Sequence, residues 1–251
     1  MQGLEALEIV LPATVAGIVI ALIHGPLGIE VLRRGIIFID LAIAQIAGLC
    51  VVFVKIWMHE PNWVLTQIAA GLAALSAAGL FRWVEKTLPH EQEAIIGSGF
   101  ILAASAVLLV LANHPQGGEE IQHILSGQML FISWSDVLAF LPLYGAAIIV
   151  WFAAKSIRTG LGFFVIFSLV ITASVQLVGV YVVFASLILP ALAVNPWLKA
   201  SAGAAVTCGT IAVILGIGIS TLSDLPAGPV LVFSYALMTI IFRQTRGIRT
   251  N

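Results

Sequence analysis

Nine stretches of this chain are apolar for about the length a helix needs to cross a bilayer, roughly 20 residues. They are 7–24, 36–54, 62–81, 94–112, 135–154, 160–178, 180–194, 200–219 and 228–242. Lipid offers no water to unpaired backbone groups, so segments of this length satisfy their hydrogen bonds only as helices. The expected fold is therefore an all-α, polytopic membrane helix bundle with about eight or nine transmembrane helices. The stretch 180–194 is short and joins its predecessor through Val178-Gly179-Val180, so these two read as a broken or tilted pair. Segment 121–132 is amphipathic and too short to span, which suits an interfacial or re-entrant helix. No soluble domain, linker or low-complexity tract interrupts the pattern, and residues 1–251 read as a single transmembrane domain.

Composition agrees. With 61% apolar and 9% charged residues, and a mean hydropathy of +1.12, the chain cannot cover a soluble globule with solvated groups. Net charge is −1 and no basic run exceeds two residues, so nothing points to nucleic acid. Cys50 and Cys208 lie inside apolar segments and read as small buried hydrophobes rather than a disulfide or metal site. Glu5 and Glu8 stand where a cleavable signal peptide needs positive charge, so the chain is expected to enter the membrane through its own spans.

Orientation follows from the basic residues. A nine-span path starting outside places Arg33, Arg34, Arg82, Lys86, Lys155, Arg158, Lys199, Arg243, Arg246 and Arg249 on one side, leaving only Lys55 opposite. The positive-inside rule makes that side cytoplasmic, with the N-terminus external and the C-terminus internal.

Asp40 falls six residues after Arg34, about one and a half turns into the 36–54 stretch. A carboxylate within a lipid-embedded helix costs roughly 2.5–3.5 kcal/mol on insertion scales, so it normally faces a protein interior or a wet cavity and marks a transport path. Catalytic chemistry is missing. The chain has no G-x-x-x-x-G-K-[ST], HExxH, CxxC or nucleophile elbow, and no second carboxylate is expected in a span to pair with Asp40. It reads as a transport subunit that is not an enzyme and binds no cofactor of its own. His24, at the end of the first stretch, reads as a helix-terminus residue rather than a ligand.

The outer side carries His59, Glu60, His114, Glu119, Glu120, His123 and Asp224. Singly these solvate loops. Together they are more suggestive, because Glu119 and His123 share a helix face at i,i+4 and imidazole plus carboxylate suits divalent transition metals. Docking of an external partner on an acidic patch is the other use. Small residues crowd the spans (Gly71, Gly79, Gly97, Gly99, Gly203, Gly216, Gly218 and neighbouring alanines), and the expected role is close helix packing.

Several motifs, in order along the chain, carry a family likeness. His24-Gly-Pro-Leu-Gly28, then Val31-Leu-Arg-Arg34 and Asp40, resemble the opening of the permease subunits of metal-ion ABC importers, the zinc, manganese and iron group. Val178-Gly179-Val180 through Ser186-Leu-Ile-Leu-Pro190-Ala191 is similar to that family's VG…SLLIIPAA segment, and Asp224-Leu-Pro226-Ala227-Gly228-Pro229 to its D-x-PAGP turn. Ile95-Ile-Gly97 and His123-Ile-Leu-Ser-Gly127 fall where the family has IG and YLFG signatures. The resemblance implies a homodimer of permeases, a cytosolic ABC ATPase pair that binds ATP, an external solute-binding protein, and Asp40 lining the ion path near the dimer axis. The cargo would be a divalent metal.

Two departures stand out. The family usually has a histidine four residues after this aspartate; here that residue is Ala44, and the nearest polar side chain, Gln45, is rotated about 140° from Asp40. The metal site would then be weaker, be built from Asp40 of both protomers, or be shifted outward to His114, Glu119, Glu120 and His123. The family's cytoplasmic coupling helix of about 20 residues is replaced by Lys155-Ser-Ile-Arg-Thr159, so coupling would use a reduced contact, with Thr87–Glu93 or Lys199 as further candidates. The residues alone leave two other readings: an ATPase-independent cation channel or carrier with Asp40 as relay, and a structural subunit with no path.

Overall fold

A computed structural model describes residues 2–58, 62–111, 125, 127, 129–194 and 201–247, with side chains from Val10 to Thr245 within those ranges. The described chain is helical. Its nine α-helices are α1 (Gln2–Arg34), α2 (Ile39–Trp57), α3 (Trp63–Thr87), α4 (Gln92–Leu111), α5 (Trp134–Ala153), α6 (Gly160–Val178), α7 (Val180–Val194), α8 (Ala202–Ser223) and α9 (Ala227–Gly247). Short 3₁₀ turns occupy Met129–Phe131 and Lys155–Arg158. Eight of the helices are long and apolar enough to cross a bilayer. At 15 residues, α7 is about 22 Å long and falls short of the roughly 30 Å hydrocarbon core. The protein is a polytopic helical membrane bundle, as its apolar pattern requires.

Several boundaries differ from the hydropathy reading; α3 runs six residues past 81 to Thr87 and α9 five past 242 to Gly247. The first helix does not stop at His24 but runs on through Gly25-Pro26 to Arg34, because a proline within a membrane helix is tolerated where neighbours satisfy the freed carbonyl. It ends at Gly35, whose φ of +68° breaks the helix, and the turn over residues 36–38 delays α2 to Ile39. The expected break between the sixth and seventh stretches is real: Gly179, at φ +79°, separates α6 from α7.

The chain forms two compact units. The first contains α1, the Met129–Phe131 turn, α5 up to Ile148, α7, α8 and α9. Here α1 packs on α7 and α8, and α9 packs on the same two helices. Two close approaches to backbone lie in this unit. A Cβ on Gly28 would lie 1.9 Å from the Leu187 carbonyl oxygen, and one on Gly25 would lie 3.0 Å from the Val206 nitrogen. The two glycines of His24-Gly-Pro-Leu-Gly28 therefore let α1 touch the backbones of α7 and α8. The Asp224 turn is structural too. Asp224 closes α8 in the left-handed region at φ 55°, donating its N–H to the Ser220 carbonyl, while the Ser220 hydroxyl donates to the Leu225 carbonyl at 2.6 Å.

The second unit contains α2, α3, α4, the end of α5 from Ile149, the Lys155–Arg158 turn and α6 to Gln176. Helix α2 packs against both α3 and α4. Val52 near the C-terminal end of α2 clusters with Val107 and Leu111 at the C-terminal end of α4. At the other end, the Phe38 N–H preceding α2 donates to Glu93 in the first turn of α4 at 3.2 Å. The two helices are thus parallel, with their N-termini side by side and α3 returning the chain between them. Asn62 opens α3, its side-chain oxygen accepting from the Val64 N–H at 2.9 Å.

The expectation of close packing holds for some small residues only. Gly216 packs on Leu231 and Ser234, but Gly71, Gly79, Gly97 and Gly218 have nothing within 4 Å of where a Cβ would stand.

Candidate cation site

Asp40 is the second residue of α2 rather than one several residues deep in it, since the helix starts at Ile39. Its side chain is nonetheless buried, with 1% of its surface exposed, and neither carboxylate oxygen has a hydrogen-bond partner. The open amides of Asp40 and Leu41 approach it without closing a bond. A helix N-terminus carries about half a positive charge, which stabilises a carboxylate in the first turn by roughly 0.3–1 kcal/mol when exposed and more when partly buried. That offsets part of the desolvation and leaves four lone-pair positions unused.

A second carboxylate stands beside it. Glu93 is likewise the second residue of its helix, α4, and acts on Asp40 electrostatically. One oxygen, Oε1, accepts from the Phe38 N–H, while Oε2 is buried with no partner. Gln92, 8% exposed, has an amide nitrogen in the same condition. The pairing corrects one sequence expectation: Asp40 does have a second carboxylate in a spanning helix, because Glu93 is already the second residue of α4. The available signal was positional: Glu91-Gln-Glu93 directly precedes an apolar run, where acidic residues of a first helical turn belong.

The remaining candidates divide. Gln45 is buried at 3% exposure on α2, but no hydrogen bond links it to Asp40. His114, Glu119, Glu120 and His123 lie outside the described residues, as do His59, Glu60 and Lys199, and of segment 121–132 only 125, 127 and 129–132 are described, with a 3₁₀ turn at Met129–Phe131. Among the described residues, no group of three or more His, Cys, Asp or Glu could hold a metal. Both cysteines are free, and Cys208 is buried.

His24 is not a helix-terminus residue. It lies inside α1 with no exposed surface, and its Nδ1 meets the Ser186 hydroxyl of α7 at 2.7 Å. That hydroxyl donates to the Val183 carbonyl at 2.9 Å, so the imidazole is the donor to Ser186. The His24–Ser186 bond ties α1 to α7 within the first unit. The Lys155–Arg158 turn is pinned rather than free. The Arg158 Nε donates to the Trp151 carbonyl at 3.0 Å, and its guanidinium lies 5.6 Å from the Trp151 ring centroid.

A bundle of apolar spanning helices with buried, unpartnered carboxylates in one unit and no nucleotide-binding loop in its sequence has the character of a transport permease. Residues 6–159 and 154–245 match the model of the ABC 3 transport family. The chain belongs to that family and is an ABC transporter permease of the metal-ion group its motifs resemble. Among solved structures it is similar to PsaBC from Streptococcus pneumoniae in complex with Fab. That likeness has a TM-score of 0.75 at 20% identity, covers 100% of this chain and 98% of the other, and shows a shared fold.

Proposed function

We propose that this permease imports a divalent metal ion (zinc, manganese or iron) or a metal complex into the cytoplasm, and that Asp40 is its transit site. The observation that carries the reading is the Asp40 carboxylate, buried at 1% exposure with both oxygens unpartnered. Left so, it is a standing energetic liability; a passing cation would supply the missing partner. Conduction needs binding weak enough to release, and a carboxylate already stabilised by a helix end meets that need. Energy would come from ATP hydrolysed on a cytosolic ABC ATPase pair, cargo from an external solute-binding protein, and the path from two copies of this chain. The basic residues orient the C-terminus to the cytoplasm under the positive-inside rule.

ATP-dependent uptake of Zn²⁺, Mn²⁺ and Fe²⁺ into vesicles tests this, using the chain with its ATPase and binding protein, as wild type and Asp40→Asn. Uptake of a metal that disappears in the variant is the expected result. Uptake that persists in Asp40→Asn removes the site assignment, and uptake that needs no ATPase removes the importer reading in favour of a carrier.

A further inference from the structure

The structure assigns Glu93 as the second carboxylate of the Asp40 site, making the site all-oxygen on the protein's side and without the nitrogen and sulfur ligands from which Zn²⁺ draws its largest advantage over a hard cation such as Mn²⁺. This rests on the reading of Asp40 as the transit residue and extends it to specificity.

Three features bring the two groups together. Helices α2 and α4 run parallel with their N-termini adjacent, so the second residue of each stands at the same end of the unit. The Phe38–Glu93 hydrogen bond at 3.2 Å fixes Glu93 two residues from Asp40 along the chain. Three carboxylate oxygens, both of Asp40 and Oε2 of Glu93, are buried without partners. Capping the Phe38 N–H occupies Oε1 alone and leaves Oε2 unexplained. A cation answers all three.

The donor chemistry then narrows the margin in favour of zinc. Position 44, one turn beyond Asp40, is a buried alanine, and no histidine or cysteine joins the pair into a three-ligand group among the described residues. Zinc favours nitrogen and sulfur ligands at four-coordinate sites, whereas carboxylate, carbonyl and water suit magnesium and manganese. Two carboxylates with retained waters make a hard, weakly holding site.

Binding of Mn²⁺ to the full chain in lipid nanodiscs, followed by loss of the free Mn²⁺ electron paramagnetic resonance signal, tests the inference, with Zn²⁺ as competitor. Glu93→Gln keeps an oxygen for the Phe38 N–H while removing the charge, and is expected to weaken Mn²⁺ binding at least about tenfold, as is Asp40→Asn. Glu93→Asp restores part of the loss. Ala44→His leaves both carboxylates and the cap in place, and is expected to move the Zn²⁺:Mn²⁺ affinity ratio about tenfold or more toward zinc. Glu93→Gln binding as wild type while Asp40→Asn loses the metal overturns this inference and leaves Asp40 as the transit residue. Unchanged binding in both variants overturns both readings. No Mn²⁺ binding by the wild type up to millimolar concentration, or an affinity ratio unmoved by Ala44→His, overturns the all-oxygen assignment.

Discussion

Gly28→Ala isolates the close approach of α1 to α7. Its Cβ would stand 1.9 Å from the Leu187 carbonyl oxygen and 3.0 Å from both the Leu187 carbonyl carbon and the Ala191 Cβ. Real Cβ contacts essentially never fall below 3.0 Å, and the nearest obstacle here is backbone, which cannot rotate away. The two helices must separate by at least about 1 Å, a typical over-packing cost being 1–3 kcal/mol. The same movement acts on the His24–Ser186 bond, one turn earlier on α1. Stretched from 2.7 Å to about 3.7 Å, it is no longer a hydrogen bond, which adds roughly 1–2 kcal/mol. The expected total, about 2–5 kcal/mol, is a large part of the 5–15 kcal/mol that folded proteins usually have. Unfolding midpoints in detergent micelles measure it, with Gly71→Ala as the control. Position 71 has nothing within 4 Å, so alanine there is expected to be neutral, or stabilising by up to about 1 kcal/mol through helix propensity. A Gly28→Ala protein as stable as both wild type and the control would refute the packing argument.

Other outcomes follow from single contacts. Ser186→Ala removes the acceptor of the buried His24 imidazole and is expected to lower stability by about 1–2 kcal/mol, less than additively with Gly28→Ala, in the same unfolding assay. Asn62→Ala deprives the Val64 N–H of its acceptor at the start of α3, at a cost of about 1 kcal/mol that Asn62→Asp recovers, read as the unfolding midpoint. Arg158→Ala frees the turn after α5, and hydrogen exchange of amides 154–160 is expected to quicken while that of α8 stays unchanged. Cys208, with no exposed surface, is expected to resist maleimide labelling in the folded protein and to react once it is unfolded.

The fold class was legible because lipid leaves a long apolar segment one option. The break at Gly179 was also legible, from a glycine between two apolar runs too long together for one span. The end of the first helix was not, because Gly25-Pro26 looks like a terminus in sequence and acts as a close-packing surface in three dimensions. For the same reason the roles of the glycines could not be ranked: Gly28 and Gly71 are both small residues in a span, and only the neighbouring backbone distinguishes them. Asp40 was legible as a charged residue in apolar surroundings. Glu93 was not, since pairing it with Asp40 requires knowing that α2 and α4 are parallel neighbours 53 residues apart in register.

The two units also differ in how completely they are satisfied. In the first, a methyl group at Gly17, Gly28 or Gly216 would collide with a neighbour, though Gly145 and Gly218 face open space, and a buried histidine donates to a buried serine. The second contains every buried side-chain atom found without a partner among the described residues: those of Asp40, Gln92, Glu93 and Thr172. Sequences selected only for folding remove such conflicts, and the ones that persist concentrate where function needs them. An importer must hold a path-lining surface ready for a charged cargo while some other part of the chain keeps its shape through each cycle. The tightly packed unit suits the second task and the unsatisfied one the first. On that division, substitutions at Gly28 or Ser186 should alter stability with little effect on metal selectivity, and substitutions at Asp40 or Glu93 should do the reverse.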